Sequence, residues 1–193
     1  MKALLGIIVV AATSTLGDYI WYTIGIRHTM VAGLTYGTLV LATMGGALGA
    51  ACGRLVKGLP IGAIAGVGGA LSYYALIVAV DSRTYGPAIP AAWVVMWLLL
   101  AALDGRWLRT PDRRSWTEVA WRGLVAALLG GAAFALVRNV LWGRPPADGR
   151  NYALQFAAWA VAWAPGLLAL TWDRVAPRSA TASRPTAPPA ARP

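Results

Sequence analysis

Six apolar runs of about 20 residues, joined by short charged connections, constrain the fold of this chain more than any other feature. A helix rising 1.5 Å per residue needs about 20 residues to cross the hydrocarbon core of a bilayer. No water meets a peptide group there, so such a run is stable only when its backbone hydrogen bonds are closed within the helix. The runs cover residues 3–23, 29–51, 60–80, 88–103, 118–142 and 152–172. They predict an all-α, polytopic integral membrane protein with six transmembrane helices over residues 1–172. Residues 173–193, rich in Pro, Ala and Arg, cannot bury a core and are expected to form a disordered cytoplasmic tail.

Composition agrees with the runs. Charged residues make up 12% of the chain, against about 25% in a soluble domain. The net charge of +10 does not point to nucleic acid, because the arginines punctuate apolar segments and are not interleaved with stacking aromatics. One cysteine, Cys52, and one histidine, His28, leave no intrachain disulfide and no metal site to expect. No cofactor is expected either. The first run could pass for a signal peptide with Lys2 as its positive region and Thr13, Ser14, Thr15 and Gly17 near a cleavage site. It is read as a retained span, since the rest of the chain is membranous too.

Loop charges give the orientation. Both termini and the even-numbered connections carry Lys2, Arg54, Lys57, Arg106, Arg109, Arg113, Arg114, Arg122, Arg174, Arg178, Arg184 and Arg192. The other side carries Arg27, Arg83, Arg138, Arg144 and Arg150. The first set is expected to lie in the cytoplasm, with both termini. An even number of spans satisfies that requirement.

Asp18 stands inside the first run, ~24 Å along a helix from Lys2. It is expected in the outer part of the span, followed by Trp21 and Tyr22 as an interfacial belt. Two readings stay open: a carboxylate hydrated or paired with Arg27 or Arg138, and one facing an outward-open cavity.

Small residues recur at four-residue spacing. The second span has Gly33 and Gly37, then Gly45, Gly49 and Gly53; the third has Gly58, Gly62, Gly66 and Ala70; the fifth has Gly123, Ala127, Gly131 and Ala135. One smooth face lets helix backbones approach closely. Gly45, Gly49, Gly62 and Gly66 are expected to pack helices, and a glycine face could also serve a homo-oligomer. In the sixth span, Pro165 removes a backbone donor and should kink the helix near Val161. Gln155 is read first as an interhelical hydrogen-bond partner and second as a ligand contact. Trp93 and Trp97, and Trp159 and Trp163, repeat at four-residue spacing. They serve either packing or the wall of a lipid cavity.

Catalytic patterns are scarce. One histidine supports no Ser-His-Asp arrangement, no span holds a carboxylate pair, and no phosphate-cradling glycine loop occurs. Every charge can lie within about two helical turns of a membrane face, which gives little to an ion-coupled transporter. "GGALGAACGRLVKGLPIG" is similar to part of the small fluoride channels, but the asparagine-bearing segment that should follow is missing.

Other stretches resemble the insulin-induced-gene (Insig) family. "VAVDS" precedes an apolar span closing on "ALDGR". The fifth span closes on "ALVRN", followed by "VLWGRPPADGRNY", and the sixth ends near "TWDR". "YGTLVLATMGGALG" in the second span is similar to that family's Gly-Thr-containing second helix. The stretch between Asp104 and the fifth span is longer and more basic here, and the paired cysteines and prolines expected at the second helix are missing. The resemblance implies six spans, cytoplasmic termini and binding of a sterol or other lipid. It also implies a partner-binding role for Asp104, beside the plain reading of an ion pair with Arg106.

The functional expectation is a non-enzymatic multi-pass protein of the cell membrane. It would hold a neutral lipid, sterol- or diacylglycerol-like, in a cavity lined by Trp93, Trp97, Gln155, Trp159 and Trp163. The alternatives are a small-solute or ion transporter or channel, and a membrane-embedded enzyme of lipid metabolism. The expected partners are membrane lipid and further copies of the chain, not nucleic acid.

Overall fold

The computed structural model describes residues 2–24, 29–79, 88–110, 113–137 and 151–175. The regular secondary structure among these residues is all helical. The helices are α1 (Lys2–Ile24), α2 (Met30–Ala51), α3 (Leu55–Ala79), α4 (Ala88–Leu103), α5 (Trp116–Val137) and α6 (Tyr152–Val175). A π-helical turn, Asp104–Leu108, continues α4. With that turn included, all six are long and apolar enough to cross a membrane.

Each helix packs against the next in sequence, and α1 also packs against α6, so the bundle closes into a ring. Side chains fill its middle: Val10, Ser14, Met44, Leu48, Trp97, Leu100 and Leu170 are fully buried. Leu5, Leu39, Val56, Val78, Leu128 and Leu136 face outward. Helices apolar on all sides suit a lipid surround, because lipid tails penalise none of these outward faces.

The closest seam joins α2 to α3. A Cβ placed on Gly49 would stand 2.6 Å from the carbonyl oxygen of Arg54 and 3.0 Å from Cα of Gly58. One on Gly66 would stand 2.6 Å from the carbonyl oxygen of Gly37. Gly45 and Gly62 are tighter still, each meeting the backbone of the other. The expected packing role of Gly45, Gly49, Gly62 and Gly66 is thus met within one chain. Contact with a further copy would need another face. Gly53 does not extend the stripe. It stands outside α2 with φ +71° and nothing within 4 Å of its Cβ position. There it forms the left-handed turn that ends the helix, with the Arg54 amide donating to the Gly49 carbonyl at 2.7 Å.

That turn moves one expected boundary. The third helix starts at Leu55, not Pro60, which lies inside it. The fourth continues past Leu103 through Leu108, and the sixth runs past Trp172 to Val175. The second begins one residue after its expected start, because Thr29 is its cap: the Thr29 hydroxyl accepts from the Ala32 amide at 3.2 Å. Residues 138–142 and 176–193, the expected end of the fifth span and most of the expected tail, lie outside the described residues.

Candidate functional site

A polar cluster joins α1, α2 and α6. Ser14 and Asp18 are one turn apart on α1, and Gln155, Trp159 and Trp163 follow the same spacing on α6. Antiparallel packing sets the two rows side by side. Asp18 accepts hydrogen bonds from Gln155 Nε2 at 2.7 Å, Trp159 Nε1 at 2.6 Å and the Tyr36 hydroxyl at 3.1 Å. One turn deeper, Trp163 Nε1 donates to the buried Ser14 hydroxyl at 3.0 Å. That hydroxyl in turn donates to the Val10 carbonyl at 2.9 Å. The Tyr36 hydroxyl also lies 3.2 Å from the Ser14 carbonyl, so its single proton is shared between the two oxygens.

Asp18 is therefore half-buried and met by neutral donors from two neighbouring helices. Arg27 and Arg138, the cations considered as partners, lie outside the described residues. Three donors thus converge on one carboxylate, which accepts at both oxygens. Asn at position 18 can keep the geometry, with its oxygen toward Gln155 and Trp159 and its amide toward the Tyr36 oxygen. Asp18→Asn is expected to cost about 1 kcal/mol for the lost charge assistance. Asp18→Leu strands three donors and is expected to cost about 3 kcal/mol. Thermal unfolding in detergent measures both; equal costs would show that the donors do not depend on an oxygen at this position.

The four tryptophans expected around a cavity come together as one cluster, three of them stacked. Trp163 lies between Trp93 and Trp159, with ring centroids 4.9 Å and 5.7 Å away and nearly parallel planes. Phe134 of α5 stacks on Trp93 at 5.0 Å. Trp97 meets Trp93 and Trp163 edge-on. Parallel indoles at this spacing leave no room for a lipid between them. Gln155, Trp159 and Trp163 turn their polar atoms to α1. Trp93 also lines grooves on the outer surface of the bundle. The Nε1 atoms of Trp93 and Trp97 are buried without a hydrogen-bond partner among the described residues, beside Gly130.

The other end of the bundle holds an ion-pair network. The π-helical turn after α4 re-phases the chain, burying Asp104, Gly105 and Leu108 while leaving Trp107 exposed. Asp104 is fully buried and pairs with Arg109 at 3.3 Å and Arg114 at 3.1 Å. Arg106, its expected partner, instead donates to the Arg114 carbonyl at 3.1 Å. Arg114, also buried, donates to the Leu170 carbonyl at 3.0 Å and pairs with Asp173 at 2.9 Å. Its Nε lies 3.3 Å from the Glu118 carboxylate, within ion-pair distance but without hydrogen-bond geometry. Burial pushes the Arg114 guanidinium down from its ordinary value, against the opposing pull of Asp104. Asp173 also pairs with Arg109 and with Arg122, the latter at 3.2 Å. Asp173, expected as the first residue of a tail, thus ties α6 to α5 and to the turn after α4. Its spacing from these arginines in sequence hid that role.

A groove of about 800 Å³ runs between α5 and α6 on the outer surface. Trp121, Val125, Leu129, Val161, Leu168 and Trp172 wall it, and Glu118 and Arg122 stand at its charged end. Pro165 lies on its α6 side. Arg122 is neutralised there, pairing with Glu118 at 2.9 Å as well as with Asp173. No family model, no curated protein and no solved structure matches the chain.

Proposed function

We propose that this multi-pass membrane protein is a non-enzymatic binder of a neutral lipid, sterol- or diacylglycerol-like, seated between α5 and α6. The observation that carries the reading is the α5–α6 groove. It has the volume of a small-ligand site, apolar walls open to the bilayer, and a polar end whose one arginine is already neutralised. An anionic headgroup would find no spare positive charge on those walls; a hydroxyl or ester can accept from or donate to the Glu118–Arg122 pair. The resemblance to the Insig family supplies the ligand class. The site differs from the expected one: Trp93, Trp97, Trp159 and Trp163 do not line this groove.

Asp18 favours a lipid holder over a proton- or cation-coupled transporter, since Gln155, Trp159 and Tyr36 occupy its carboxylate and tie it between helices. Arginine bias supports placing the Arg54–Arg109–Arg122 end, with both termini, in the cytoplasm of a cell whose plasma membrane the protein spans. Filling the groove tests the lipid reading. Val125→Trp with Ala164→Trp is expected to lower co-purified neutral lipid about tenfold while the bundle keeps its thermal stability. Unchanged lipid in a folded double variant would sink the α5–α6 assignment.

A further inference from the structure

Among the described residues, three carboxylates at the arginine-rich end, Asp104, Glu118 and Asp173, are divided among Arg109, Arg114 and Arg122. Arg106 and Arg113 have no ion pair among the described residues. Both stand at the same corner. Arg106 reaches back to the Arg114 carbonyl at 3.1 Å, which sets its guanidinium beside residues 113–116. The guanidinium carbon lies 4.9 Å from the centroid of the Trp116 ring. The Gly105 carbonyl accepts from the Arg114 amide at 3.0 Å, so the π-helical turn and the approach to α5 hold each other in register. Arg113 is exposed at that corner. Trp107 and Trp116 are 61% and 64% exposed beside it. Exposed indoles at the end of a spanning helix belong at headgroup depth, where the ring is half in lipid and half in water.

From this we infer that Arg106 and Arg113, flanked by Trp107 and Trp116, form a binding site for the phosphate of an anionic phospholipid in the adjoining leaflet. The charge is complementary: two guanidinium groups with no ion pair among the described residues meet a diester phosphate, which planar guanidinium groups recognise through paired N–H donors. Depth selects the source. The indoles place the site where lipid phosphates already lie at high local concentration, and basic side chains near a membrane surface gain from each anionic lipid they meet. Trp116 packs against the Arg106 guanidinium at cation–π distance and helps to hold it at the corner. This site is separate from the α5–α6 groove, whose one arginine is neutralised, and it stands or falls independently of the neutral-lipid reading.

The test uses the full chain in nanodiscs of phosphatidylcholine containing phosphatidylglycerol. The protein is released into detergent and its retained lipids are counted by native mass spectrometry. The parent is expected to retain phosphatidylglycerol about tenfold over its share of the bilayer, and to lose that preference in high salt. Arg106→Gln with Arg113→Gln should bring retention down to the bilayer share, while Arg106→Lys with Arg113→Lys keeps part of it. Glycerol phosphate in solution at millimolar concentration should not displace the lipid; displacement would make the site one for a soluble phosphate and overturn the lipid assignment. Equal retention of the two phospholipids by the parent, or equal preference in parent and double Gln variant, would overturn the site. The parent comparison stands even where the double variant fails to fold.

Discussion

Gly62→Leu is expected to destabilise the bundle by about 3 kcal/mol or more, at or above the top of the usual range for overpacking. At most glycines a new side chain pushes against other side chains, which can change rotamer. At Gly62 it meets the Leu41 carbonyl and the Gly45 backbone. Neither can move without moving α2 as a whole. The seam must open along its length, and contacts at Gly45, Gly49, Gly58 and Gly66 are lost with it. Gly131→Ala is the control. Its Cβ would stand 3.5 Å from the nearest Trp93 atom, an ordinary van der Waals contact, so its effect should stay near zero. Thermal unfolding of both variants in one detergent measures the difference. A Gly62→Leu protein as stable as Gly131→Ala would mean that α2 and α3 do not touch through their backbones.

Asp104→Ala is the second large effect expected. The carboxylate is fully buried and is held by Arg109 and the buried Arg114. Removing it leaves the buried Arg114 with Asp173 and Glu118, both partly exposed, as its remaining close carboxylates, and crowds Arg109 and Arg114 without the buried charge that both of them meet. Breaking a buried pair by deleting one partner costs about 3–5 kcal/mol, because the other charge stays desolvated. The cost lies in the stranded arginine, so removing that as well should recover much of it. Asp104→Leu with Arg114→Met is expected to be markedly more stable than Asp104→Ala alone. If the double variant is as unstable as the single one, the arginine is not what makes the loss large. For Asp104 as a contact for another protein, the structure offers no exposed oxygen; a partner would read this region through Arg106, Arg109 or Trp107.

The sequence made some of this legible for clear physical reasons. Run length and the need to close backbone hydrogen bonds define six spans without knowledge of any contact. Four-residue glycine spacing marks a close seam, because that spacing alone keeps the small residues on one face. The stripe's partner was harder to see. Gly45 faces Gly58 and Gly62 because the Cys52–Arg54 turn folds α3 back at once, and the sequence offered Pro60 as a more obvious helix start. Asp18 is conspicuous in the sequence, but its charge points to arginines as partners. The donors that hold it are a tyrosine, a glutamine and a tryptophan, residues that in a membrane sequence also serve as interfacial or packing groups. Two rows at matching spacing, Ser14–Asp18 and Gln155–Trp159–Trp163, carried the only signal. The same tryptophans illustrate the limit of periodicity. Four-residue spacing puts Trp93 with Trp97, and Trp159 with Trp163, on shared faces, yet whether two such faces enclose a space or close on each other depends on the interhelical distance. The π-helical turn was invisible because "ALDGR" reads as an ordinary helix end. Its re-phasing sends Asp104 inward and leaves Trp107 outward.

The central claim, a neutral lipid between α5 and α6, is tested most directly by finding that lipid and its place together. Native mass spectrometry of the purified protein should show one co-purified neutral lipid per chain, and a photoactivatable sterol or diacylglycerol should label peptides of α5 and α6, near Val125, Leu129 and Val161. A chain that carries no neutral lipid, or a label confined to helices away from that groove, would contradict the account.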